Sequence, residues 1–144
     1  MKYLHLMIVV LLLAAPVASA QNMLVRKAAV QEVQDGGDDV FVPISKYIAA
    51  GNSEALSAWF ADNLEIAVLA RESDASRAQA RQIVKTFFDT YTPRSFDVTH
   101  TAGRANMKYA LGTLKAGGES FSVTIFVSNK GRFFKIQQLK IEQQ

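Results

Sequence analysis

Two hydrophobic periods divide the chain. As far as Pro93 the apolar residues recur three and four positions apart, save for one alternating stretch at residues 64–70, and from Arg94 onward they alternate with polar ones. The strongest helical signal covers residues 76–93, where Ile83, Val84, Phe87, Phe88 and Tyr91 fall on one side. Thr92-Pro93 ends that helix, because the residue before a proline is pushed out of helical geometry. Upstream, Val40, Phe41, Ile44, Tyr47 and Ile48 form a second stripe. Asp38 or Asp39 is placed to cap it, Pro43 falls in its first turn, and Gly51 follows as a left-handed stop. A short helix capped by Asn52 or Ser53 turns Leu56, Trp59 and Phe60 inward and breaks at Asp62-Asn63. Leu64, Ile66 and Val68 then alternate as a strand over residues 64–70. A polar turn follows at residues 71–74, with Ser73 or Ser76 capping the long helix.

The second half predicts four strands. Phe96, Val98 and His100 share a face of the first, and Met107, Tyr109 and Leu111 a face of the next. Phe121, Val123, Ile125 and Val127 line the third, and residues 133–142 form the last. Parity changes between Leu111 and Leu114, and again between Ile136 and Leu139. One extra residue in a strand does that, so bulges are predicted near Gly112 and near Gln137-Gln138; the alternative is sheet buried on both faces. The fold class is α+β: three helices on a strongly curved, mainly antiparallel sheet, in the order α-α-β-α-β-β-β-β.

Composition adds a compartment. Lys2, an apolar run to Ala15, Pro16 and the box Ala18-Ser19-Ala20 have the order of a secretory signal peptide over residues 1–20. Residues 21–39, with Gly36-Gly37 and a cluster of acids, read as a flexible lead-in, and residues 40–144 as one domain. The absence of cysteine means that packing alone supplies stability, which suits a bacterial periplasm or cell surface. No membrane span remains after cleavage on this reading. Residues 21–93 carry seven basic against ten acidic groups and residues 94–144 eight against three, so the sheet half is the basic half. Export and the modest overall charge disfavour nucleic acid as a partner.

The order of elements resembles the nuclear transport factor 2-like superfamily, also described as SnoaL-like or cystatin-like, in which a curved sheet wraps a long helix around a pocket. The segments FVPISKYIAAGN, LSAWFADNLEIAVL, QARQIVKTFFDTYTPRSF, NMKYALGTL and FKIQQLKIE are similar to an exported bacterial family, domain of unknown function 4783. The resemblance implies the fold. It leaves function open, because the superfamily includes isomerases, dehydratases and non-catalytic binding domains.

Enzymes of this fold hold an acid or base in an apolar cone. Here the candidates are His100, the one histidine after the signal segment, and Tyr109 across a turn near Arg104-Ala105, a pair suited to polarising a carbonyl or moving a proton. Asp97, Asp89 and Glu65 are expected to face away. Tyr47, Trp59, Phe87, Phe88, Tyr91 and Tyr109 are the candidate pocket lining. Arg77, Arg81 and Lys85, at successive i, i+4 positions, are the candidates for holding an anion or else form a solvated face. One histidine and no cysteine give no metal set, and no glycine motif cradles a phosphate, so no cofactor is expected. The preferred function is a non-catalytic envelope domain binding a small apolar ligand or a protein partner, and the alternative is an acid/base enzyme using His100 and Tyr109. The outer sheet face, with Phe126 as its large apolar residue, leaves a homodimer open.

Overall fold

Helix α1 (Phe41–Ala50) turns Phe41, Ile44 and Ile48 inward, all buried, as their spacing dictates. Gly51 stops it at φ 67°, its amide donating to the Ile48 carbonyl oxygen at 3.1 Å. The computed structural model describes residues 40–130 and 133–144. The signal segment 1–20, the lead-in 21–39 and the expected caps Asp38 and Asp39 lie outside the described residues; Val40 stands at the N-cap position of α1 and makes no side-chain cap hydrogen bond. Helix α2 (Ser53–Ser57) starts as expected, with the Ala55 amide donating to Asn52 Oδ1 at 3.0 Å.

Two elements differ from the sequence expectation. Phe60 does not finish α2 but opens strand β1 (Phe60–Val68), where it pairs with Ile136. Either conformation buries it, so hydrophobicity alone could not choose. The Asp62-Asn63 break falls inside β1, where its pairing with the last strand skips from Phe60 to Glu65. The expected polar turn at residues 71–74 belongs to a strand of its own, β2 (Arg71–Ser76), antiparallel to β1 from Asn63↔Ser76 to Val68↔Arg71. Ala75 is its one fully buried residue, so it shows no alternation. A polar edge strand of this kind also resists pairing with another chain.

Helix α3 (Arg77–Thr90) begins with a reciprocal cap: the Gln79 amide donates to Ser76 Oγ at 3.2 Å, and the Ser76 amide to Gln79 Oε1 at 3.0 Å. Ala80, Val84, Phe87 and Phe88 are its buried face. Strands β3 (Pro93–Arg104), β4 (Met107–Ala116), β5 (Glu119–Asn129) and β6 (Phe134–Gln143) complete an open six-stranded sheet in the order β2-β1-β6-β5-β4-β3. Each neighbouring pair is antiparallel except β1 and β6, which run parallel.

Alternation sends Phe121, Val123, Ile125 and Val127 of β5 toward the helices, all buried. The Phe121 ring meets Phe87 edge-on at 5.1 Å and Tyr91 at 5.0 Å, which fixes α3 against the middle of the sheet. The end of α3 is tied down as well. The amide of Gly117, in the two-glycine β4–β5 turn, donates to the Thr92 carbonyl oxygen at 3.0 Å.

Both predicted register irregularities exist, one of them in a different strand. Phe126 pairs with Gln138 and Val127 with Ile136, which leaves Gln137 as the extra residue, within the predicted stretch. Near Gly112 the bulge belongs to the partner strand: Val98 pairs with Gly112 and His100 with Leu111, so Thr99 is the inserted residue. Strand β4 runs unbroken along β5. Its helix-facing residues are Ala110, Gly112, Leu114 and Ala116, all buried. Met107, Tyr109 and Leu111 therefore lie on the outer face.

Candidate functional site

A groove of about 1040 Å³ opens between the β1–β2 hairpin and α3. Ile66 and Val68 supply one wall from β1, while Ile83, Phe87 and Tyr91 supply the other from the long helix and its end. Arg71 and Ser73 join the same side, because they pair with Val68 and Ile66 and directly paired residues project to one face. Gln82, Thr86 and Thr90 form the more polar flank. The hydroxyls of Thr86 and Thr90 donate to the carbonyl oxygens of Gln82 and Thr86 at 3.0 and 2.9 Å, so those donors are spent within the helix.

The rim is the turn Leu69-Ala70. Leu69 is exposed and sits at φ 58°, a left-handed conformation that costs a residue with a side chain about 1–2 kcal/mol. Its amide donates to the Ile141 carbonyl oxygen at 2.8 Å, which holds the turn against the neighbouring β6.

Of the aromatic residues proposed from sequence, Phe87 and Tyr91 line this groove. Phe88 is buried in the core, its ring 5.9 Å from that of Phe87, and Tyr47 and Trp59 pack half-buried against the core elsewhere. Tyr109 is on the outer sheet face. Ile66, Val68, Leu69 and Arg71 were not proposed. Their signal was the apolar alternation of β1 running on into Leu69-Ala70, where a turn would ordinarily bring glycine or asparagine.

His100 does not share the face of Phe96 and Val98, because the Thr99 bulge shifts it by one position to the outer side. The hairpin register also differs: Ala102, not His100, lies opposite Tyr109. The two rings remain neighbours, with centroids 6.2 Å apart and planes at 58°. His100 is exposed and borders a shallower hollow of about 540 Å³ with Phe41, Val42, Ser45, Phe96 and Val98, which Tyr109 does not line. The pair does not converge on one enclosed volume. Beside it, exposed Met107 and Leu111 join half-buried Tyr109 and Phe126, so the outer face carries more apolar surface than Phe126 alone.

The cationic row on α3 is largely engaged. Arg77 Nη2 lies 2.8 Å from Asp62 Oδ1 while its Nε donates to the Phe60 carbonyl oxygen at 3.1 Å. Lys85 Nζ lies 2.9 Å from Asp89 Oδ2. Both ion pairs are solvent-exposed, so each contributes under about 1 kcal/mol. Arg81 is left without an ion pair among the described residues. No helix among the described residues is long and apolar enough to cross a membrane.

The family described as "Domain of unknown function (DUF4783)" matches residues 41–142. The chain is similar to the crystal structure of a DUF4783 family protein from Bacteroides uniformis, with 22% identity and a TM-score of 0.68 over 71% of this chain and 94% of that one. It is also similar to an NTF-2 like protein of unknown function from Silicibacter pomeroyi, with 12% identity, a TM-score of 0.59, and coverage of 80% and 98%. A domain of unknown function with a cystatin-like fold from Nostoc punctiforme aligns with 11% identity and a TM-score of 0.58, over 71% of each chain. At these identities the likeness is one of fold. No curated protein matches the chain.

Proposed function

The chain belongs to the DUF4783 family, and from that premise we propose that it is a non-catalytic binding domain of the cell envelope that holds a small apolar ligand between the β1–β2 hairpin and α3. The observation that carries this reading is the groove of about 1040 Å³ walled by Ile66, Val68, Ile83, Phe87 and Tyr91. Its lining includes Arg71 and Glu72, which are adjacent in β2 and so project their side chains to opposite faces rather than toward each other. The leucine held in a left-handed turn at the rim supports the same reading, because backbone strain at an exposed apolar residue persists where that side chain has a use.

An environment-sensitive apolar dye tests it. Its emission is expected to rise on adding the protein and to stay low with Thr86→Trp, which fills the groove from an exposed helix position. A response equal in both proteins would sink the reading. Export is tested separately, by fractionating expressing cells and sequencing the N-terminus: a mature chain beginning at Gln21 in the envelope fraction is expected, and an intact Met1 in the cytoplasm would refute it.

A further inference from the structure

We infer that the ligand is a single-chain amphipathic anion of the long-chain carboxylate class, with its head at Arg71 and its chain along Ile66, Val68, Ile83 and Phe87; this rests on the groove reading above. Arg71 lies at the turn end of β2, on the groove-facing side, opposite Val68. It is exposed and, among the described residues, has no ion pair, unlike Arg77, Lys85 and Lys140. Glu72 also lines the groove, but it pairs with Ala67 and so directs its side chain to the other face of the hairpin from Arg71, as Asp74 does opposite Glu65.

The remaining donors point the same way. Thr86 and Thr90 have used their hydroxyl protons inside α3, so the side-chain donors the groove offers an incoming head are the Arg71 guanidinium, the Gln82 amide and the Ser73 and Tyr91 hydroxyls, of which Arg71 alone is charged. A planar guanidinium suits a carboxylate because two parallel N–H groups meet two oxygens. A cationic head would meet Arg71 with repulsion, and a neutral one would gain hydrogen bonds without charge. Charge at the rim and apolar walls behind it therefore select an anion with a tail.

Three probes of equal chain length separate these cases: palmitate, hexadecanol and hexadecylamine, each titrated below its aggregation concentration at pH 8. The wild-type chain is expected to bind palmitate about fivefold tighter than hexadecanol, the scale of one exposed charge pair, and hexadecylamine weakest of the three. Arg71→Gln is expected to lower palmitate affinity to about that of hexadecanol, erasing the preference. Thr86→Trp is expected to abolish binding of all three. Equal wild-type affinities for palmitate and hexadecanol, or a preference that survives Arg71→Gln, would overturn the head assignment and leave the groove reading standing. Failure of the wild-type chain to bind any probe, or binding that survives Thr86→Trp, would overturn both.

Discussion

The ring of Phe96 fills the space that a side chain at Gly112 would need. A Cβ built on Gly112 would lie 2.6 Å from Phe96 Cζ and 2.7 Å from Cε1, with the Asp97 carbonyl oxygen also at 2.7 Å. Phe96 pairs with Leu114 and Val98 with Gly112, so the ring leans one step along β3 and covers the glycine on the helix-facing side. The missing side chain is what lets β3 bring its aromatic residue down onto β4 just before the Thr99 bulge.

Gly112→Ala is accordingly expected to destabilise the fold by about 1–3 kcal/mol through overpacking against Phe96 and backbone. Gly118→Asn is the comparison, since a Cβ there meets nothing within 4 Å and asparagine tolerates a positive φ. Urea unfolding should show a clear fall in midpoint for the first and little change for the second. Equal midpoints would mean that β3 slides aside at no cost.

Ser76→Ala removes the side-chain half of the reciprocal cap on α3. A loss of about 1 kcal/mol is expected, with the folded far-ultraviolet circular dichroism retained. A larger loss accompanied by reduced helicity would show that the β2–α3 junction depends on Ser76 for more than capping.

What the sequence made legible follows from how each element is buried. Helices α1 and α3 bury one stripe and strand β5 one face, so Phe41, Ile44, Val84 and Val123 announced themselves by spacing. Strand β2 buries only Ala75, so its polar sequence reads as a turn. Alternation alone puts His100 on the face of Val98, because the inserted residue, Thr99, sits in a polar run and disturbs no hydrophobic pattern in its own strand. The parity change at Gly112 is the outer face of β4 showing through, and the bulge lies across from it in β3. The groove was hidden for a further reason: its walls come from β1 and α3, and nothing local in either segment marks the gap between them.

Deleting Gln137 tests the other bulge. Without it Ile136, Gln138 and Leu139 would follow Val127, Phe126 and Ile125 in unbroken alternation, with Ile136 and Leu139 still facing inward, so the deletion removes the local bend without turning a buried side chain outward. A loss of about 1 kcal/mol is expected, read as a small drop in thermal midpoint. A drop as large as that of losing a buried isoleucine or leucine would mean that the bend itself holds the sheet against the helices. Gln137→Ala, which keeps the count, is expected to lie close to wild type.

Leu69→Gly separates strain from use. Glycine relieves the left-handed backbone but loses more freedom on folding, and the two effects nearly offset, so unfolding free energy is expected to stay within about 1 kcal/mol of wild type. Dye or palmitate affinity is expected to fall, because the rim loses an exposed apolar side chain. Unchanged affinity would remove Leu69 from the site.

The position of β6 sets when the fold can exist at all. It is the described strand latest in sequence, yet it stands between β1 and β5, joining the β2-β1 pair to the β5-β4-β3 meander. Its parallel ladder to β1 pairs Ile66 with Leu139 and Val68 with Ile141, contacts between distant parts of the chain. Such pairing closes a long loop before it returns any contact energy, which slows folding. A nascent chain that has not yet released β6 holds two unjoined sheet fragments, β2-β1 and β5-β4-β3, so the six-stranded sheet under α3 closes only once β6 has emerged.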